Sequence, residues 1–314
     1  MALTDTDRSF DNIINFRDVG RTVNQLAGQE LLKERVLYRS ARLDDASEDD
    51  IRYLTGDLHI STIIDLRSTT EHQMAIKKNK RRKNIPTTTF PDTEPQGEEG
   101  YIHLPSLENT ATHRHLISLT GKAFERQLLW RLDWWNFTKV LAYIAAGYRH
   151  DAVRIVGENV MKPAGLTGLA MDTLEASSAE IKSVFEVFSS LDPEADMYGP
   201  SSGVLVHCTQ GKDRTGLVVL LSLLLTGVVD AEVMASEYLL SETELENIPR
   251  EEKEQRMREI RALGLDEEYA RCPGDFTQRI TGFLGEKYGG VRGYLEFIGV
   301  EEGTIENVRR RFLA

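Results

Sequence analysis

Cys208 and Arg214, six positions apart, lie in the run His207-Cys208-Thr209-Gln210-Gly211-Lys212-Asp213-Arg214-Thr215-Gly216. A guanidinium fork can hold two oxygens of a phosphate, which a lysine's point charge cannot do. A thiolate can displace the alcohol of a phosphate ester and form a phosphocysteine that water then hydrolyses. Five intervening residues let the chain curl with the sulfur at the bottom and the guanidinium closing one side. His207, Thr209, Gln210, Gly211, Lys212 and Thr215 are the expected phosphate-contacting positions, with Thr215 placed to hydrogen-bond the sulfur and help it leave. Gly211 and Gly216 permit backbone angles and approaches that a Cβ would block. The amides and cation that hold phosphate also stabilise a thiolate, so Cys208 is expected to be nucleophilic at neutral pH. Lys212 is expected near the rim, where a second cation would favour substrates with extra phosphates.

Such a loop needs a strand to enter it and a helix to leave it. Gly203-Val204-Leu205-Val206 reads as a buried strand, and Leu217 to Leu225 is apolar except at Ser222, a pattern that suits a buried helix. The turn between them gathers backbone N–H groups and the positive end of the helix dipole at one point. Further back, Val36-Leu37-Tyr38 and Thr62-Ile63-Ile64 read as strands, with a helix from Ser47 to Leu54 between them. Strand, helix, strand favours a parallel sheet.

The ten-residue run resembles the phosphate loop of the cysteine-dependent protein tyrosine and dual-specificity phosphatases. Its Gly-Lys-Asp-Arg core is similar to the branch of mycobacterial tyrosine phosphatase B and its fungal and bacterial relatives. Asn15-Phe16-Arg17-Asp18-Val19-Gly20, Tyr38-Arg39-Ser40-Ala41-Arg42-Leu43 and Asp65-Leu66-Arg67-Ser68 resemble further motifs of that branch, as does Tyr288-Gly289-Gly290-Val291-Arg292-Gly293-Tyr294-Leu295. The resemblance covers most of the chain and is weakest over about 85–165. It implies an α/β fold with a mostly parallel central sheet flanked by helices, a helical insertion and an all-helical C-terminal part. It also implies one phosphatase domain over 1–314, with the insertion at about 107–165 forming a cover over the site and the helical region at 228–314.

Expelling an alkoxide or phenolate requires a proton donor at the leaving oxygen. Asp65 ends a buried strand, where open α/β sheets place their ligands, and its counterpart in the resembled branch makes it the first choice. Its other reading is an ion pair with Arg39 or Arg67. Asp213, inside the loop, is the second choice, and its Lys-Asp pair is also similar to lipid-phosphate phosphatases. Asp172, Asp192 and Asp196 suit caps or turns better.

A formal charge of −12 over 314 residues argues against broad nucleic-acid binding, so any positive potential must be local. The run of cations at Lys77, Lys78, Lys80, Arg81, Arg82 and Lys83 suits a solvated segment, an anionic surface contact or a nuclear-localisation patch. No run is long enough for a membrane helix. Two cysteines make no disulfide framework, and a thiolate enzyme needs reducing surroundings, so a cytoplasmic setting is expected, with the nucleus also open. The chemistry needs no cofactor or metal.

Pro86 to Gly100 reads as a loop and Tyr101 to Pro105 as a strand. Phe124, Trp130, Trp134, Trp135 and Phe137 recur at helical spacing over 116–147, which predicts mostly core. Helices are predicted over 173–191, 230–240, 242–261, 275–288, 291–298 and 304–312, the first with an apolar stripe of Leu174, Ile181, Val184, Phe185 and Phe188. The leading reading is a phosphomonoesterase acting on phosphotyrosine proteins, with dual specificity and phosphoinositides open to it. The alternatives are a catalytically inactive phosphate-binding module, and an arsenate reductase or sulfurtransferase, for which Cys272 would be the resolving thiol.

Overall fold

The computed structural model describes residues 10–72, 75, 112–191 and 202–314. Among the described residues, five strands form one sheet in the order β1-β2-β5-β3-β4. They are β1 (Arg17–Asp18), β2 (Leu37–Ser40), β3 (Ile60–Asp65), β4 (His113–Leu116) and β5 (Gly203–His207). All neighbours run parallel except β1, which is antiparallel to β2. The result is the expected α/β architecture with a mostly parallel sheet. β5 lies between β2 and β3 and is buried along its whole length, the burial that its unbroken apolar run requires of a strand covered on both faces. Side chains alternate between two cores. Leu37, Ile64, Val204 and Val206 face one, while Tyr38, Ile63 and Leu205 face the other with Leu43, Ile51 and Leu54.

Register brings four strand ends level, pairing Ser40 with His207, His207 with Asp65, and Asp65 with Leu116. The segments leaving these ends therefore converge on one crevice, where open α/β sheets bind ligands. Helix α1 (Val19–Ala27) follows β1, and α2 (Glu48–Arg52) follows β2. Ser47 caps α2 as its sequence suggests, in a reciprocal box with Asp50, and a π-helical turn (Tyr53–Asp57) carries the chain on. Between β4 and β5 come α3 (Lys122–Trp130), α4 (Trp134–Ala145), α5 (Arg149–Val156), α6 (Lys162–Ala176) and α7 (Ser178–Ser190). After β5 come α8 (Asp213–Thr226), α9 (Ala231–Glu246), α10 (Arg250–Ala262), α11 (Phe276–Tyr288), α12 (Val291–Phe297) and α13 (Glu302–Phe312).

Three features depart from the sequence reading. The helix predicted over 173–191 breaks at Ser177, whose backbone leaves the helical region and whose hydroxyl donates to the Leu119 carbonyl at 2.8 Å. Its apolar stripe survives, since Leu174, Ile181, Val184, Phe185 and Phe188 are all fully buried. Of the aromatics expected in the core, Phe124 is buried, but Trp130, Trp134 and Trp135 are 75, 73 and 75 % exposed. Helical spacing puts residues on one face without saying whether that face has a partner. Finally, Phe124 and Leu128 pack with Val160, so part of the segment expected to cover the site forms a small core of its own. The basic run at 77–83, the loop at 86–100, the strand at 101–105, Asp192 and Asp196 lie outside the described residues. Among the described residues, no helix is long and apolar enough to cross a membrane.

Candidate active site

The segment from Cys208 to Lys212 links β5 to α8, as its flanking apolar runs predict. Its carbonyls are held from outside. Arg42 N–H donates to Thr209 O (3.2 Å) and Asn15 Nδ2 to Gln210 O (3.0 Å). Arg39 Nη2 donates to Gly211 O (2.7 Å) and, at 3.4 Å, to Lys212 O. In a planar trans peptide the N–H points opposite the C=O, so outward carbonyls turn the amides that follow them inward. The loop is therefore an anion cradle held open by its surroundings. Gly211 makes this possible: its φ is +67°, and a Cβ there would run into the Ser40 carbonyl.

Arg39 can hold the loop because it is itself held. It is fully buried and pairs through Nη1 with Glu237 (2.6 Å), which also accepts from Arg17 Nε (2.9 Å). Arg17 Nη1 donates to Asn15 Oδ1 (2.6 Å) and Nη2 to Ser241 Oγ (3.0 Å). Burial, with Arg39 nearby, lowers Arg17 to about 10, and the two guanidiniums hold Glu237 ionised below the usual carboxylate range despite its burial. Two motifs near the N-terminus thus brace a loop about two hundred residues away through one glutamate of α9.

Cys208 is buried at the base of the loop and is a free thiol. The hydroxyl of Thr215, in the first turn of α8, is buried without a hydrogen-bond partner among the described residues, so it is available to the sulfur. Arg214 also starts α8, and both of its terminal nitrogens bind Glu71, Nη1 to Oε2 and Nη2 to Oε1, each at 2.7 Å. Thr120 Oγ1 accepts from Nη1 as well (3.2 Å). These bonds all run through Nη1 and Nη2, the end-on edge of the fork. Glu71 is part exposed; its partial burial pushes the carboxyl up, but Arg214 and Thr209 hold it well below the usual carboxylate range. Burial also disfavours the charge on Arg214, which Glu71, then Cys208 and Asp213, more than restore.

Asp65 is not placed to donate a proton. It is fully buried and paired with Arg67 (2.9 Å) and with Arg114, while His72 and His207 approach at 3.6 and 3.4 Å. Burial would raise its pKa, but His207, Arg67 and Arg114 together hold it well below the ordinary carboxylate value. The ion-pair reading therefore describes it, with Arg67 rather than Arg39 as partner. It fixes the β3 end beneath the loop. Asp172 pairs with Arg131. Asp213 is the loop's own acid and is part exposed; Lys212 Nζ (2.9 Å) and Tyr238 OH (3.4 Å) both reach its Oδ1.

Lys212 is not on the rim. It is fully buried, with Nζ donating to Arg271 O (2.6 Å) and Tyr269 O (3.4 Å) beside its bond to Asp213. Those carbonyls come from the segment joining α10 to α11, which no local reading places near the loop. His207 lies behind the cradle, fully buried, with Nδ1 3.2 Å from the Cys208 carbonyl.

A model of the tyrosine phosphatase family matches residues 8–314. The chain belongs to the tyrosine phosphatase family. A tyrosine-protein phosphatase of Nostoc commune is 34 % identical over 139 residues, 40 % of this chain and 42 % of that protein. The triple specificity protein phosphatase PtpB of Mycobacterium tuberculosis is 34 % identical over 122 residues, 34 % of this chain and 42 % of that protein. Each match thus covers less than half of the curated relative's length. Within this tyrosine phosphatase chain, Glu71, Asn15, Arg17 and Glu237 are the site residues that motif spacing left unassigned. Glu71 had a local signal, since Ser68-x-x-Glu71 is a capping-box pattern and Ser68 N does donate to Glu71 (2.9 Å). Glu237 had none.

One consequence concerns acid. Burial lowers His207 to about 4, against an unfolded value near 6.5. Between those values the unfolded chain binds a proton that the fold refuses, so the His207 contribution to stability falls as pH drops from 6.5 toward 4, while Asp18, raised by burial to about 6, acts in the opposite direction between about 6 and 4. The expected loss is roughly 3 kcal/mol. Urea unfolding of wild type and His207→Asn, measured side by side across that range, tests this: the stability of wild type relative to the variant should fall by that amount as pH drops, and a constant difference would contradict it.

Proposed function

We propose that this protein hydrolyses phosphate monoesters through a phosphocysteine on Cys208, with phosphotyrosine proteins as its main substrates and dual specificity within reach. The observation that carries this reading is the loop whose carbonyls at 209–212 are tied outward around Cys208 while Glu71 presents Arg214. The inward amides and the guanidinium offset the charge of the transferring phosphoryl group. The sulfur attacks phosphorus, the ester oxygen leaves with a proton, and a water then breaks the P–S bond while Thr215 steadies the departing thiolate.

Asp213 is the proposed acid. Contacts from Lys212 and Tyr238 fall on Oδ1, which leaves Oδ2 for the leaving oxygen. Asp213→Asn should cut turnover about 10²- to 10⁴-fold for phenyl phosphate and far less for an ester with a strongly acidic leaving group. Equal losses on both esters would remove Asp213 from this role. For phosphoinositides, Lys212 is buried, and the cation bordering the loop is Arg42, whose N–H donates to Thr209 O and whose side chain is 30 % exposed and 3.9 Å from Asp45. Arg42→Ala should then lower turnover of a polyphosphorylated inositol lipid several-fold more than that of a phosphotyrosine peptide.

The inactive-module reading is disfavoured by a complete set of Cys208, Arg214 and Thr215. Arsenate reduction is disfavoured by Cys272, which is buried and pushed up to about 11, a poor resolving nucleophile. A panel of phosphopeptides and phosphoinositides, run on wild type beside Cys208→Ser, tests the whole reading. Hydrolysis that survives the substitution would end it.

A further inference from the structure

We propose that the α4–α5 hairpin is a docking surface for an anionic lipid bilayer, lying in the headgroup layer with its tryptophans inserted. Asp133 caps α4 by accepting from Trp135 N (3.0 Å) and Asn136 N (3.1 Å), and α4 then turns through Gly147 into α5. Val140 is the buried residue of α4. At 100° per residue the opposite face carries Trp134, Trp135, Leu141, Ala142 and Ala145, with Thr138 among them and Lys139 at its edge. Trp134 and Trp135 are about three-quarters exposed and Leu141 about half, while Tyr148 at the hairpin turn is 60 % exposed. A soluble chain seldom leaves so many large apolar groups together in water.

Charge decides between occupants. Residues 122–156 hold six Lys and Arg against three Asp and Glu, a formal +3 within a chain of −12. Arg131 and Arg154 are paired with Asp172 and Glu158. Arg126, Lys139 and Arg149 are exposed and make no ion pair among the described residues. Two copies meeting through this face would set like charge against like. Tryptophan and tyrosine rings bordered by free cations, on a face nearly devoid of hydrogen-bonding groups, match the headgroup boundary of an anionic membrane instead. At about 18 Å, α4 is too short to cross a bilayer and must lie along it.

Two of the chain's three tryptophans, Trp134 and Trp135, lie on this surface, and the third, Trp130, ends α3 and stacks on Phe137 of α4, so intrinsic fluorescence reports on the hairpin and its immediate border. In the free protein, acrylamide should quench the emission readily. Vesicles of mixed phosphatidylcholine and phosphatidylserine should shift it to the blue and protect it, while phosphatidylcholine alone should do so far more weakly. Trp134→Ala with Trp135→Ala, and separately Lys139→Glu with Arg149→Glu, should each weaken vesicle co-sedimentation roughly tenfold or more. Both double variants should keep wild-type turnover of a small soluble aryl phosphate, which establishes that they are folded. Emission already shielded in the free protein would show another segment of the chain, or a second copy, on this face and overturn the proposal. Vesicle binding that is absent, indifferent to lipid charge, or unchanged in both variants would overturn it equally.

Discussion

Replacing Cys208 by serine is expected to lower turnover of any phosphate ester by about 10⁵-fold, because the attacking atom is lost while the cradle stays. The substitution removes one sulfur and adds one hydroxyl in a site that is already buried. A serine hydroxyl is far harder to ionise than a thiol, and the histidine and aspartate behind the loop are not free to take its proton. His207 lies behind the loop, engaged with the Cys208 carbonyl and Asp65, and Asp65 is consumed by Arg67 and Arg114. Binding should survive, since the amides and the Arg214 fork are untouched. Steady-state kinetics on an aryl phosphate, together with titration of a phosphate-mimicking oxyanion into the serine variant, separate the two effects. Loss of oxyanion binding alongside turnover would mean that the cradle depends on the sulfur.

The second large effect is expected far from the sulfur. Glu237→Gln should destabilise the fold by about 3–5 kcal/mol, because it leaves Arg17 and Arg39 as buried charges without their counter-ion. Function should suffer as well. Arg39 holds the carbonyls of Gly211 and Lys212, and a guanidinium searching for a new partner no longer fixes them. Urea denaturation gives the stability loss, and oxyanion affinity at low denaturant gives the loss of loop shape. Asn15→Ala is a milder companion, since it frees the Gln210 carbonyl and takes one acceptor from Arg17 but leaves the Arg17–Glu237 pair, and it should weaken oxyanion binding with a smaller stability loss. A Glu237→Gln protein as stable as wild type would show that the buried network is not what braces the loop.

These two cases mark what the sequence can and cannot reveal. The Cys208–Arg214 segment was legible because its meaning is local. A strand-forming run, a loop with glycine at the tight position and a helix-forming run follow one another, and each declares itself within a few residues. Parallel pairing was legible from β2, α2 and β3, although the insertion of β5 between the two strands was not. The support network is different in kind. Glu237 meets Arg17 and Arg39 across separations of 220 and 198 residues, and in sequence it is one acidic residue among many in a charged helical stretch. Lys212 misled for a related reason. Its position in the loop implied a rim, but carbonyls at 269 and 271, folded back from a distant segment, draw it inward. Asp65 carried both readings, and only the arrival of Arg114 from β4 beside Arg67 separates a donor from a buried ion pair. The tryptophans show the remaining gap: their spacing marks a helix face, while exposure depends on whether anything packs against it.

The central claim is that a thiolate at Cys208 takes the phosphoryl group within this cradle. Acid-quenching the enzyme during turnover of a labelled aryl phosphate, followed by peptide mass spectrometry, tests it most directly. The account predicts a phosphate on Cys208 that builds up within the first turnover, is absent from Cys208→Ser and decays with product release. Phosphate on any other residue, or full turnover with none on Cys208 at any quench time, would contradict it.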